Sequence, residues 1–170
     1  MFKVSKHDTK SLRWWYLRKS EIDFAPSYQR KGGIWSAQDK SYLIDSIINN
    51  YDVPKVYLAD FTLLNTPLNE KNKSYAIIDG RQRLEAIVDF FEDVVPLDQN
   101  FVYDANPELK LGGLTYSDLR NNYPKVLEKV DEFNLDVMSV VSDDAAKINE
   151  LFVRLNKSKP VNGAEIRNAM

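Results

Sequence analysis

Residues 74–93 constrain this chain more than any other stretch, because the hydrophobic period changes there at a single glycine. Ser74-Tyr75-Ala76-Ile77-Ile78-Asp79 reads as a strand. Beyond Gly80, Leu84, Ile87, Val88 and Phe91 recur at i, i+3, i+4 and i+7, the spacing of one helix face. Arg81 and Arg83 fall in the first turn of that helix, where the positive end of the dipole makes each cation cost about 0.3–1 kcal/mol. An anion bound at the same spot reverses the sign, because backbone N–H groups, dipole and guanidinium groups then converge on it. The pattern points to a phosphate or carboxylate site. Surface pairing of the two arginines with Glu85 or Asp89 also accounts for it, and is the commoner outcome for so short a pattern taken alone.

Bulk properties narrow the chemistry. A chain of 170 residues, 44% hydrophobic and 28% charged, can bury a core as one domain or one domain and a fragment. Its net charge of −2 argues against a protein held to nucleic acid mainly by overall charge, so any DNA contact by this domain alone should be weak. No apolar run approaches the roughly 18–20 residues of a membrane span, and the N-terminus has no signal-peptide core, so a cytoplasmic location is expected. The absence of cysteine removes thiol nucleophiles and Cys-ligated zinc. A single histidine, His7, removes a Ser-His-Asp triad in the body of the chain and any multi-imidazole metal centre. Asp, Glu, Arg, Lys, Tyr, Asn and Mg²⁺ are left to carry chemistry.

The organisation expected is an aromatic N-terminal segment over 1–20, one α/β (α+β) domain over 21–160, and the start of a further helix over 161–170. That helix opens near Gly163 and stops two turns in, as a truncated element would. Residues 8–19 are read as a short helix, 21–25 as a strand ended by Pro26, and 26–36 as a loop broken at Gly32-Gly33. Ser36 suits the N-cap of a helix to about Asn50, with Leu43, Ile44, Ile47 and Ile48 on one face. Residues 55–60 and 74–79 are strands, and 94–114 are irregular around Gly112-Gly113. Short helices follow over 116–129, with Pro124 opening one. A strand covers 133–141, and then a helix capped at 142–144 carries Ile148, Leu151, Phe152 and Leu155 as an apolar stripe. A polar loop runs from Asn156 to Asn162.

Three ordered blocks then carry a resemblance. The first is Tyr28-Gln29-Arg30, Ile34-Trp35-Ser36, Leu43-Ile44-Asp45-Ser46-Ile47 and Val53-Pro54. The second is Ile78-Asp79-Gly80-Arg81-Gln82-Arg83-Leu84. The third is Leu151-Phe152-Val153-Arg154-Leu155-Asn156, Val161-Asn162 and Glu165-Ile166-Arg167-Asn168-Ala169. Together they resemble the N-terminal domain of GmrSD-type modification-dependent restriction enzymes, within the ParB/sulfiredoxin-like superfamily, from about residue 20 onward.

The resemblance implies a compact fold with a small mixed sheet flanked by helices. It implies a sensor that binds a nucleoside triphosphate, with or without hydrolysing it, in a restriction or phage-defence system, working with a separate HNH nuclease domain or subunit. The family's Asp-Gly-Gln-Gln-Arg motif matches Asp79, Gly80, Arg81, Gln82 and Arg83, with Arg81 replacing the usual Gln. Gly80 would let backbone approach a polyphosphate, and Arg81 and Arg83 would grip it by guanidinium forks. Asp79 would hold Mg²⁺ or orient a water, with a helix N-cap as its structural role. Gln82 would orient an attacking water or contact phosphate. Arg30 would close over the ligand, and Tyr28 or Trp35 would stack on a base or pack in the core. Asp39 and Asp45 are candidates to pair with the arginines. Arg154, Glu165 and Arg167 are read as an ion-paired scaffold, and Asn156 stays open between scaffold and catalysis. Two alternatives stay open: a ParB-like DNA-binding adaptor with a nucleotide switch, and a degenerate non-catalytic interaction module.

Overall fold

The computed structural model describes residues 1–28 and 33–157. A five-stranded mixed sheet is its centre, with strands β1 (Phe2–Lys6), β3 (Ile22–Asp23), β4 (Val56–Asp60), β5 (Tyr75–Asp79) and β7 (Val137–Ser142) in the order β1-β7-β4-β5-β3. β7 runs parallel to β4 and β3 parallel to β5; the β1–β7 and β4–β5 pairs are antiparallel. A two-stranded ribbon joins β2 (Lys10–Ser11) to β6 (Asn134–Leu135). The helices are α1 (Leu12–Leu17), α2 (Ala37–Ile48), α3 (Arg81–Phe91), α4 (Tyr116–Asn122), α5 (Pro124–Asp131) and α6 (Ala145–Lys157). This is the mixed α/β architecture expected of the sequence.

The central strands alternate between two covered faces, as a period of two demands. Val56, Leu58, Tyr75, Ile77 and Val137 join the larger core with residues of α1, α2, α3, α4 and α5. Ala59, Ala76, Ile78 and Val140 form a smaller core under Ile148 of α6. α2 begins as its sequence dictates: Ser36 and Asp39 make a reciprocal capping box, and Leu43, Ile44, Ile47 and Ile48 are all buried.

α3 starts without comparable help, since Gly80 caps it with no side-chain bond and its first turn holds no acid. Burial of Leu84, Ile87 and Phe90 decides the matter. At about 1.5–3 kcal/mol each, these side chains outweigh the ~0.3–1 kcal/mol that each misplaced arginine costs. The buried face lies slightly off the expected stripe: Phe90 and Arg83 are inside, whereas Val88 is half-buried.

Several expectations are corrected. The strand expected over 133–141 is broken at exposed Asp136, where the chain leaves the ribbon and enters the main sheet. The Asp136 carbonyl accepts from Val56 N at 3.0 Å, so the break itself is bonded. α6 runs on through Asn156 and Lys157, where the sequence suggests a polar loop. Asn156 Nδ2 donates to the Phe152 carbonyl at 2.8 Å, satisfying a last-turn acceptor. Of its stripe only Ile148 is buried, while Leu151 and Phe152 are partly covered. The first twenty residues supply an edge strand and, in Leu12 and Trp15, two members of the larger core. The loop around Pro160, the helix expected near Gly163, and Arg30, Glu165 and Arg167 lie outside the described residues.

Candidate functional site

β5 delivers Asp79 to the mouth of α3 through an irregular register. Pairing with β4 steps from Tyr57–Asp79 to Leu58–Ile77, which makes Ile78 an extra residue. Such a bulge re-aims the side chain that follows it. Gly80 then adopts φ 104°, left-handed backbone that glycine enters without a Cβ penalty. A Cβ there would lie 2.8 Å from Val56 Cγ2 and 3.1 Å from Arg83 Nη2. The glycine is thus needed both for the turn and for room beside Arg83.

Arg83 is buried, and its Nη2 donates to the Lys55 carbonyl at 2.7 Å and to Asp79 Oδ2 at a long 3.5 Å. Its Nε is buried with no hydrogen-bond partner among the described residues. Burial pulls its pKa below the ordinary guanidinium value, and the Asp79 carboxylate opposes that pull. Arg83 therefore braces the base of the site by tying the start of β4 to the end of β5. Asp79 is likewise buried, and the helix cap is Gly80, so the N-cap role considered for Asp79 belongs to its neighbour.

Arg81 sits above this pair, half-exposed, and its Nε donates to Glu85 Oε1 at 2.7 Å one turn along. That is the surface pairing anticipated for it; Asp89 takes Lys40 instead, at 2.7 Å. An exposed pair of this kind is worth about 0.3–0.5 kcal/mol, so an anion of higher charge can displace the carboxylate.

Gln82 has a different task. Its Oε1 accepts from the backbone N–H of Trp35 at 3.2 Å, pinning the segment that leads into α2 beside the first turn of α3. The Lys40–Asp89 pair repeats the contact further along, so the two helices run side by side in the same direction. Their N-termini, the 12-residue α2 and the 11-residue α3, thus open at one place. Trp35 packs against the larger core, and Ile34, 91% exposed, stands just before it.

The remaining candidates take structural positions. Tyr28 packs on the smaller core with its hydroxyl buried and unbonded among the described residues; burial pushes its pKa up. Asp39 closes the α2 capping box, and Asp45 accepts from Asn49 at 2.8 Å. Arg154 pairs with Glu150 on the surface. Among the described residues no group of three His, Cys, Asp or Glu is placed to hold a metal, and no helix is long and apolar enough to cross a membrane. Asp79 is a buried carboxylate at the end of β5, next to the start of α3.

The family model of the GmrSD restriction endonuclease N-terminal domain matches residues 15–170. The chain belongs to that family. No curated protein and no solved structure matches it. The GmrSD match takes in Asp79 to Arg83 and the segments that open α2 and α3.

The sequence sets Asp79 to Arg83 where a strand hands over to a helix, but does not show two of the bonds made there. Nothing local marks the Lys55 carbonyl as the acceptor for Arg83, or Gln82 as the tie to Trp35, because these partners are 28 and 47 residues apart. His7 lies in the N-terminal segment. In the fold its ring lies 4.9 Å from that of Trp15 and its Nε2 is 2.9 Å from the Tyr75 hydroxyl.

Proposed function

We propose that this GmrSD-type domain binds a nucleoside triphosphate where α2 and α3 open, and acts as a nucleotide sensor for a separate nuclease domain or subunit in DNA restriction. The observation that carries the reading is the pairing of two helix N-termini with a releasable arginine. The first turns of α2 and α3 lie beside one another, joined by the Gln82–Trp35 bond, and Arg81 there pairs with the half-exposed Glu85. Family membership supports the assignment to a restriction system.

The residues divide the work. Gly80 admits phosphate close to backbone, and Arg81 swings from Glu85 to a phosphate oxygen. Gln82 holds the α2 entry in place through Trp35 and turns its amide toward the phosphates. Arg83 braces Asp79 from below, contributing to catalysis by position. A bound Mg²⁺ would neutralise phosphate charge, and Asp79 would give it one oxygen. Arg30 would contact the ligand, while Tyr28 stays packed on the smaller core.

The internal bonds of Arg83 favour a second reading, binding with little or no turnover, as in a ParB-like adaptor. Equilibrium binding of each nucleoside triphosphate with Mg²⁺, followed by phosphate release, separates the two. Arg81→Ala should weaken binding by tenfold or more, the loss of one charge-assisted bond of about 1.5–3 kcal/mol. Turnover that is lost in Asp79→Asn supports hydrolysis, and binding without phosphate release supports the adaptor. Absence of binding to all four nucleotides removes both.

A further inference from the structure

Charge is not spread evenly along this chain. Residues 1–20 hold six of its 23 Lys and Arg but one of its 25 acids, Asp8, for a net +5; the rest carries −7. A protein that is acidic overall therefore presents one cationic segment, and the fold lays that segment out as a strip. Period-two alternation puts Lys3, Ser5 and His7 on one side of β1 and its continuation, with His7 N bonded to the Val137 carbonyl. The His7 ring lies 6.1 Å from Trp14, and Trp14 carries Lys10 at 5.0 Å and Arg18 at 3.8 Å. Lys3, His7, Lys10 and Arg18 thus follow one another across the edge of the sheet and onto α1.

The other cations of the segment are engaged or turned away. Lys19 pairs with Glu92, Arg13 bonds Tyr116, and Lys6 is on the opposite side of β1 with Val4. Lys3, Lys10 and Arg18 form no ion pair among the described residues. Lys10 and Arg18 are held over the Trp14 ring, which keeps their charge without neutralising it, and Lys3 is exposed on the strand.

We propose that this strip is a docking surface for the phosphate backbone of duplex DNA. Duplex is favoured over single strands because Trp14, the aromatic of the strip, has its ring occupied by Arg18 and is edge-packed on Trp15, leaving no platform for an unstacked base. Three lysine or arginine contacts give sequence-independent binding, with log affinity falling against log salt at a slope of about −2.7. The surface is separate from the mouth of α3 and does not depend on nucleotide binding there.

The test uses the full chain and a fluorescein-labelled 20-bp duplex, read by anisotropy between 50 and 200 mM NaCl. The affinity should fall about 40-fold over that range. Lys3→Gln with Lys10→Gln should weaken binding at 50 mM and leave a slope of about −0.9, so that the same salt step costs only about 3- to 4-fold. Lys110→Gln, with Lys110 exposed in the loop before Gly112, should leave the slope of the parent chain. Circular dichroism should be unchanged in all variants. Lack of duplex binding at 50 mM salt, an equal loss in Lys110→Gln, or tighter binding of a 20-nucleotide single strand would each overturn the proposal. Nucleotide affinity should be the same in the parent and the double variant, which keeps this outcome distinct from that of the sensor reading.

Discussion

A methyl group at position 80 would sit 2.8 Å from Val56 Cγ2 while the backbone is held at φ 104°. Left-handed backbone costs a non-glycine residue about 1–2 kcal/mol, and the contact adds to it, so Gly80→Ala should destabilise the fold by at least that much in urea unfolding. The same methyl crowds Arg83, whose loss can be tested directly. Arg83→Met removes the cation that faces the buried Asp79 carboxylate, for a cost of about 3 kcal/mol. Asp79→Asn combined with Arg83→Met should cost less than the sum of the single changes, because both partners of one charged contact are then gone. Additive costs would show that the 3.5 Å contact carries no coupling. Asp45 behaves in the opposite sense. Burial raises its pKa, with repulsion from Asp104 and Asp98 adding to the rise and the Asn49 bond opposing it. A carboxyl raised above its unfolded value favours the folded state most below that unfolded value, and the benefit is lost as pH climbs through the folded pKa. Asp45→Asn keeps an acceptor for Asn49 and removes the charge, so its melting temperature should exceed the parent's at pH 7. The gain should shrink as pH drops through the window just above 3.8. A constant difference across that window would show that the charge is not what Asp45 costs.

Two helices here start with the same device and differ in where they point. Ser36 caps α2 in a reciprocal box with Asp39, and Thr115 caps α4 in one with Asp118. Ser36→Ala and Thr115→Ala should each cost about 1 kcal/mol of stability. Only Ser36→Ala should also weaken nucleotide binding, because α2 opens beside Arg81 and α4 does not. Equal nucleotide affinity in the two variants would remove α2 from the binding mouth. Elements governed by local rules were readable in the sequence: Ser36 as a cap, the α2 stripe, and Asp79-Gly80 as a strand end and helix start. Elements decided by distant partners were not. β1 is an edge strand whose side chains are exposed or half-buried, so its alternation is too weak to mark it, and only pairing with β7 makes it a strand. Asp136 looks like any polar position in a strand until two different partners, β2 and β4, claim the residues on either side. At the site, the sequence identified charge at a helix mouth but not its depth. Which of Arg81 and Arg83 faces outward depends on how α3 is turned on the sheet, and Phe90 in place of Val88 settles that rotation.

Across the whole molecule, the N-terminal twenty residues and the sheet depend on one another. Leu12 is fully buried and Trp15 is 2% exposed within the larger core, and Leu12 N donates to the Phe133 carbonyl at 2.8 Å. β1 covers the edge of β7 over five paired residues from Phe2 to Lys6. A chain beginning at residue 21 would lose two core side chains worth about 2–5 kcal/mol each and uncover a strand edge. Domains hold only about 5–15 kcal/mol in total, so that loss takes most of the margin. The shortened chain should lose its cooperative unfolding transition and become sensitive to dilute protease, or go into aggregates. Removing residues 1–6 alone leaves α1 in place and strips only β1, so that variant should fold with a lowered melting temperature. It should also bind duplex DNA less steeply with salt, since Lys3 goes with the strand. Should the chain from residue 21 unfold cooperatively near the parent's temperature, the aromatic segment would be an appendage, and the sheet edge at β7 would be stable without β1.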